Sequence, residues 1–301
     1  MNITRLLNKP IITPELDSRM GTNINGPSLI RVPEWLPNPL GRYYLYFAHH
    51  QGTYIRLAYA DEVTGPWTVY SPGTLQLEET PCYEHIASPD VHIDEVNQRL
   101  IIYYHGPYLK KEEIAHDPLS QRHRMTGGQR SFVATSTDGI HFESGDEVLG
   151  SSYFRVFSWQ GMTYALGMPG IFFRSADGFT NFEEGPTLWD ETMRHSALLL
   201  RDNNLTVFYS EREACPEHIL TVDIQLKPDW MAWSRSEPTP VLDPEREYEG
   251  GNLPAEPSKA GAINEPVRQL RDPCVFEDEG RVYLLYAVAG ERGIGLAEVK
   301  E

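Results

Sequence analysis

Three cysteines in 301 residues, Cys82, Cys215 and Cys274, are too few and too far apart for a disulfide frame, and none forms a CxxC pair of the kind that holds zinc. They read as buried thiols of a reducing compartment. Basic residues are scarce as well: 26 Lys and Arg face 43 Asp and Glu, a net charge of −17. Such a balance argues against nucleic acid and anionic membrane, which are bound by clustered Lys and Arg. No stretch approaches the ~18 apolar residues of a membrane span, and residues 1–10 lack the apolar run of a signal peptide. The expectation is a soluble, cytoplasmic protein with no nucleic-acid and no membrane partner. Walker, GxGxxG and GxSxG motifs are missing, and so is long helical periodicity.

What the chain does have is turns, with 24 Gly and 23 Pro, and a repeated aromatic pattern. Five apolar runs each follow a turn: Tyr43 to Phe47, Leu100 to Tyr104, Met162 to Leu166, Leu205 to Tyr209 and Val282 to Tyr286. Aromatic and β-branched residues favour strands, and near-continuous apolar runs indicate strands covered on both faces. A strand-like segment precedes each run (Pro27 to Val32, Pro89 to Ile93, Tyr153 to Phe157, Ser196 to Leu200, Pro273 to Phe276), and a third strand follows most of them. Two third strands enter a near-identical turn, Ser136-Thr137-Asp138-Gly139 and Ser175-Ala176-Asp177-Gly178. Asp-Gly there supplies the positive φ of a tight turn. A repeat of roughly 60 residues signals a propeller or solenoid. The prediction is all-β, a five-bladed β-propeller forming a single domain over residues 1–301.

In a propeller the first strand of each blade lines the axis, so the chemistry is sought where those strands begin. These positions carry Asn25-Gly26-Pro27, Ser88-Pro89-Asp90, Ser152-Tyr153-Phe154-Arg155, Arg194-His195-Ser196 and Arg271-Asp272-Pro273. Asp272, with an Arg beside it, suits a base or transition-state stabiliser; the pair equally suits a link between the last blade and the first. Glu211 and Arg212 lie at a strand exit, where neighbouring carboxylates can shift one another, or where a solvated loop runs. Glu249 lies in the long link to blade five, of a length typical of binding loops. His49, His50 and His105 end strands and can bind sugar hydroxyls or shuttle protons. Tyr153, Trp159 and Trp67 offer aromatic faces to sugar rings, or pack between blades.

The segment Ser88-Pro89-Asp90-Val91-His92 with Arg99 to Tyr104, and Arg194-His195-Ser196-Ala197-Leu198 with Leu205 to Ser210, resemble the second-blade and Gly-His-Asn-Ser segments of the five-bladed glycoside hydrolases of families 43, 62 and 117. The resemblance implies a divergent glycoside hydrolase acting on a small oligosaccharide or glycoside. It implies Asp90 as an active-site carboxylate, and His195 on the axis beside a weakly held Ca2+ or Na+ with mostly water ligands. Two departures stand out: Gly26 where the family has its general base, and Ser152 or Tyr153 where it has its general acid. Since glycoside hydrolysis usually needs two carboxyl groups, the candidates become Asp90, Asp272, Glu211 and Glu249. His195 then serves as acid or metal partner, and Arg155, Arg212, Arg271, His49 and Tyr153 as substrate-binding groups. A phosphate-dependent phosphorylase and a non-catalytic glycan- or partner-binding propeller are the alternatives.

Overall fold

The computed structural model describes residues 1–300, apart from the side chain of Met125. Five four-stranded antiparallel sheets form a ring. Blade 1 comprises Asn25–Arg31, Tyr43–Ala48, Arg56–Ala60 and Thr68–Tyr70, and blade 2 Ala87–Asp94, Arg99–Pro107, Gln129–Ser136 and Glu143–Ser144. Blade 3 comprises Arg155–Trp159, Met162–Gly167, Ile171–Ser175 and Glu183–Thr187, and blade 4 Met193–Arg201, Asn204–Glu211, Ile219–Gln225 and Thr239–Leu242. Blade 5 takes Arg271–Asp278, Arg281–Ala287 and Ile294–Lys300 from the end of the chain. Its outermost strand is Asn2–Arg5, paired from Asn2 opposite Lys300 to Arg5 opposite Ala297. The ring is thus closed by hydrogen bonds between the two ends of the chain. First strands touch across blades around the axis, as Asn25–Arg31 does with Ala87–Asp94 on one side and Arg271–Asp278 on the other.

The apolar runs are continuous because each second strand serves two seams. Side chains alternate between the faces of a strand, and here both faces meet a neighbouring blade. Tyr43, Leu45 and Phe47 pack towards Phe276 and Leu285 of blade 5, whereas Tyr44 and Tyr46 pack towards Leu100, Ile102 and Tyr104 of blade 2. The same division recurs in blade 5, with Leu284 and Tyr286 turned to blade 4 and Tyr283 and Leu285 to blade 1. The two Asp-Gly turns add polar clamps: the Tyr46 hydroxyl donates to the Gly139 carbonyl (2.7 Å), and the Tyr103 hydroxyl to the Gly178 carbonyl (2.9 Å).

One irregularity repeats where the first strands begin. Gly26, Ser88, Tyr153, His195 and Asp272 all have positive φ, between 47° and 64°. In blades 1, 2, 4 and 5 the pairing register shifts at this point. In these four blades the irregularity is a bulge, which bends a strand and re-aims a side chain. Proline follows the bulged residue in blades 1, 2 and 5, where a missing N–H leaves the ladder intact. Left-handed backbone is strained for residues other than Gly, and four of the five positions carry that strain.

Two long connections reach the same end of the ring. Residues 108–128 hold two short helices, Lys111–Ile114 and Pro118–Arg122. Arg130 anchors them through Asp117 and the Ser120 hydroxyl. Residues 243–270 form the link to blade 5. No helix among the described residues is long and apolar enough to cross a membrane.

Candidate active site

A cavity of about 290 Å³ opens at the bulged end of the axis. Its wall includes the positive-φ residues Ser88, Tyr153, His195 and Asp272, with Ser152 beside them. His50, His85 and His105 add three imidazoles from blades 1 and 2, and Arg194 and Arg212 two guanidinium groups from blade 4. The connections contribute Gly127-Gly128 and Ala260-Gly261. Asp272 is the one carboxyl group in this wall among the described residues.

Asp272 is 3% exposed, and burial, assisted by the charge of Glu291, pushes its carboxyl up to about 6. The Tyr153 hydroxyl donates to its Oδ1 at 2.8 Å, and this bond, Arg271 and Arg155 act in the opposite sense. Oδ2 lies 3.8 Å from His195 Nδ1, beyond hydrogen-bond reach. Burial, followed by the charges of Arg194 and Arg271, holds His195 well below the ordinary histidine range. His105 is likewise held well down, by burial and then His85, and His85 is lowered to about 4 by burial. These three imidazoles are therefore neutral at pH 7 and keep both a donor and an acceptor nitrogen.

Behind the wall runs a buried chain of opposite charges. Arg194 forms a bidentate pair with Glu217, Arg271 Nε lies 3.2 Å from Glu217, and Arg271 Nη1 lies 3.0 Å from Glu291. Glu291 also contacts His50 Nδ1 at 3.2 Å and takes a hydrogen bond from Asn23. Burial opposes ionisation of Glu291, but these partners outweigh it and bring its carboxyl down to about 2. The chain joins blades 4, 5 and 1 where the ring closes.

Of the residues singled out in the sequence, Asp272, His195, Tyr153, Arg212, His50 and His105 meet in the cavity wall. Arg155 lies behind it: its guanidinium stacks on the Tyr153 ring at 4.1 Å and donates to the Ser88 and Ser196 carbonyls. One ring face of Tyr153 is thereby covered, and at 2% exposure the side chain is a wall element, not a platform for a sugar. Arg271 is fully buried in the ion chain, consistent with the blade-linking alternative. Asp90 is outside the cavity lining; its Oδ2 accepts from His92 Nε2 (2.8 Å) and the Val156 N–H (2.7 Å), tying blade 2 to blade 3. Glu249 faces away, held by Arg5 Nε at 2.7 Å and the Tyr286 hydroxyl at 3.0 Å. The long link does reach the cavity, through Ala260-Gly261.

Glu211 does not line the cavity, and its backbone carbonyl is met by Ser258. His49 sits in a turn, its Nδ1 accepting from the Gln51 N–H, and the neighbouring His50 is the one in the wall. Trp159 packs in the seam between blades 3 and 4. Arg194, from the strand-start segment Arg194-His195-Ser196, is in the wall, and so is His85, which precedes the first strand of blade 2. The blade 1 position is closed: a Cβ on Gly26 would stand 3.0 Å from the Ser88 Cα.

Calcium takes oxygen ligands, and beside its imidazoles, one carboxyl group and two guanidinium groups the wall offers the side-chain oxygens of Asn25, Ser88, Thr126, Gln129 and Ser152. Among the described residues no three His, Cys, Asp or Glu side chains converge as a metal-ligand set.

No family model matches the chain. The family-43 enzyme from Xanthomonas citri shares the fold with a TM-score of 0.62 at 11% identity, covering 97% of this chain and 92% of that one. A family-43 β-xylosidase/α-arabinofuranosidase from a compost metagenome, solved with xylotriose, superposes with a TM-score of 0.61 at 12% identity over 97% and 94% of the two chains. The sequence itself is similar to Uncharacterized protein R118 of Acanthamoeba polyphaga mimivirus, with 35% identity across 92% of this chain and 83% of that protein. On that identity the chain belongs to the family of the mimivirus protein R118, built on the five-bladed propeller that family-43 glycoside hydrolases share.

Proposed function

We propose that the axial cavity cleaves the glycosidic bond of a small carbohydrate, with Asp272 as the proton donor. The observation that carries this reading is the Asp272 carboxyl group, buried in the wall and raised to about 6. A carboxylic acid that holds its proton up to about pH 6 is suited to protonate a leaving oxygen. Solved relatives in fold bind xylotriose, which favours a sugar as the ligand. The neutral imidazoles of His50's neighbours His85 and His105 offer acceptors for sugar hydroxyls or for the attacking water, a task that usually falls to a second carboxylate.

The absence of a second carboxyl group from the described wall favours one further reading. If inorganic phosphate attacks the anomeric carbon, no base is needed to activate it, and Arg212 is placed in the wall to receive an anion, with Arg194 beside it engaged by Glu217. The test is a panel of 4-nitrophenyl glycosides and short oligosaccharides, with and without phosphate, run on the wild type and Asp272→Asn. Turnover that falls at least a hundredfold in the variant supports the acid role. A phosphate requirement selects the phosphorylase, and binding of a sugar with no turnover at any pH would refute both.

A further inference from the structure

Asp272 does not stand alone on the axis. Tyr153 reaches it from blade 3 across a separation of 119 residues, and both residues have left-handed backbone, with φ of 64° and 47°. Strain kept at two facing positions implies that their meeting matters. The Tyr153 ring is fixed on every side the structure describes. Arg155 stacks on it at 4.1 Å, and the rings of His105 and His195 lie 5.9 and 5.3 Å away. The phenol is therefore pre-set, with no torsion left to search.

We propose that Tyr153 is a positioning residue for Asp272, holding Oδ1 so that proton exchange with a ligand runs through Oδ2 alone. The chemistry is asymmetric. When the carboxyl group is protonated on Oδ2, Oδ1 is a carbonyl oxygen and accepts the phenol. When Oδ2 gives its proton to a leaving oxygen, Oδ1 carries half the new negative charge and accepts more strongly. One hydrogen bond thus serves both states and favours the product of proton transfer, which is how a group lowers a barrier without binding the ground state more tightly. His195 Nδ1, 3.8 Å from Oδ2, is too far to take that proton in the resting site and lies 3.4 Å from the Ser210 hydroxyl. The inference rests on Asp272 being the acid of the proposed reaction.

The charged and titratable groups around Asp272 come from four blades: Tyr153 and Arg155 of blade 3, His195 and Arg194 of blade 4, Arg271 and Glu291 of blade 5, and His50 of blade 1, which acts through Glu291. The Tyr153→Phe variant alters one of these and keeps the ring that stacks on Arg155. Infrared titration of isotope-labelled aspartate, with the Asp272 band identified from Asp272→Asn, reads the carboxyl group directly. The midpoint in Y153F is expected to rise by about one pH unit, since the lost bond favoured the charged form. Site-specific fluorination of the Tyr153 ring makes the phenol a stronger donor at nearly the same size, and lowers the midpoint; it serves equally where Y153F fails to fold. With any cleaved glycoside, the alkaline limb of kcat/KM follows the same shifts and kcat falls more than KM rises. A midpoint that neither variant moves overturns the proposal even in an active enzyme. A midpoint that moves in a protein cleaving no glycoside upholds the Tyr153 contact as a device that sets the Asp272 proton and refutes the sugar-cleaving reading alone.

Discussion

Asp272 holds its place at a cost that can be measured without any substrate. Its folded value of about 6 stands above the ordinary carboxyl value of 3.8, so the fold favours the protonated form. The stability it contributes is full below about pH 4 and is lost as pH rises through 6, by about 3 kcal/mol at most. Asparagine keeps the size and an oxygen for the Tyr153 hydroxyl but cannot ionise. Asp272→Asn is therefore expected to melt several degrees above the wild type at pH 8 and to match it at pH 4. Calorimetry at the two pH values tests this, and an equal difference at both would show that the charge is not responsible. Function at this residue would then be set against stability, as expected of a strained, desolvated site. The sequence marked Asp272 by its Arg neighbour and its place before Pro273. It could not mark Tyr153 as its partner, because that contact depends on the diameter of the ring and on left-handed backbone at both residues.

At the scale of elements, legibility followed burial. The second strands were plain because alternating side chains feed two seams and leave an uninterrupted apolar run, as in Tyr43 to Phe47. The Asp-Gly turns were plain by their chemistry. The closing strand Asn2–Arg5 was missed because it is short, has one face exposed and contains no aromatic residue. Its importance lies in what Arg5 touches. The guanidinium meets both oxygens of Glu249, at 2.7 and 2.9 Å, and Glu249 is fully buried. Removing Arg5 leaves that carboxylate buried with the loss of its cation, and one-sided removal from a buried pair costs about 3–5 kcal/mol; the Glu245 and Arg246 N–H groups and the Tyr286 hydroxyl still bond Glu249, which brings the expectation for Arg5→Ala to about 2–3 kcal/mol. Arg31 pairs with Asp278 and Glu279 at the surface, where an ion pair contributes about 0–1 kcal/mol. Urea unfolding of Arg5→Ala and Arg31→Ala should separate the two clearly. Equal midpoints would mean that Glu249 finds another partner and that ring closure does not rest on Arg5.

At the scale of the whole molecule, the number of blades fixes how much room remains on the axis. Five first strands crowd it closely enough that a Cβ at Gly26 would press on Ser88, and Arg155 spans it behind Tyr153. What is left is a cavity of about 290 Å³ at one end, near the lower bound of ~300–1,000 Å³ usual for small-molecule sites. Gly127-Gly128 and Ala260-Gly261 border it, so the longest connections of the fold add to the wall. A ligand can therefore bury one or two sugar units, and further units lie outside. For any oligosaccharide series that the protein cleaves, kcat/KM is expected to level off by the trisaccharide, with release from one end of the chain. Product analysis over chain lengths of two to six units, about the range that separates these cases, tests the size argument. Rates that climb through the longest members would require a cleft along the surface, which the bordering connections do not leave. In that event the pocket that holds Asp272 and Tyr153 would be one part of a longer site, with loops 108–128 and 243–270 moved apart to admit it.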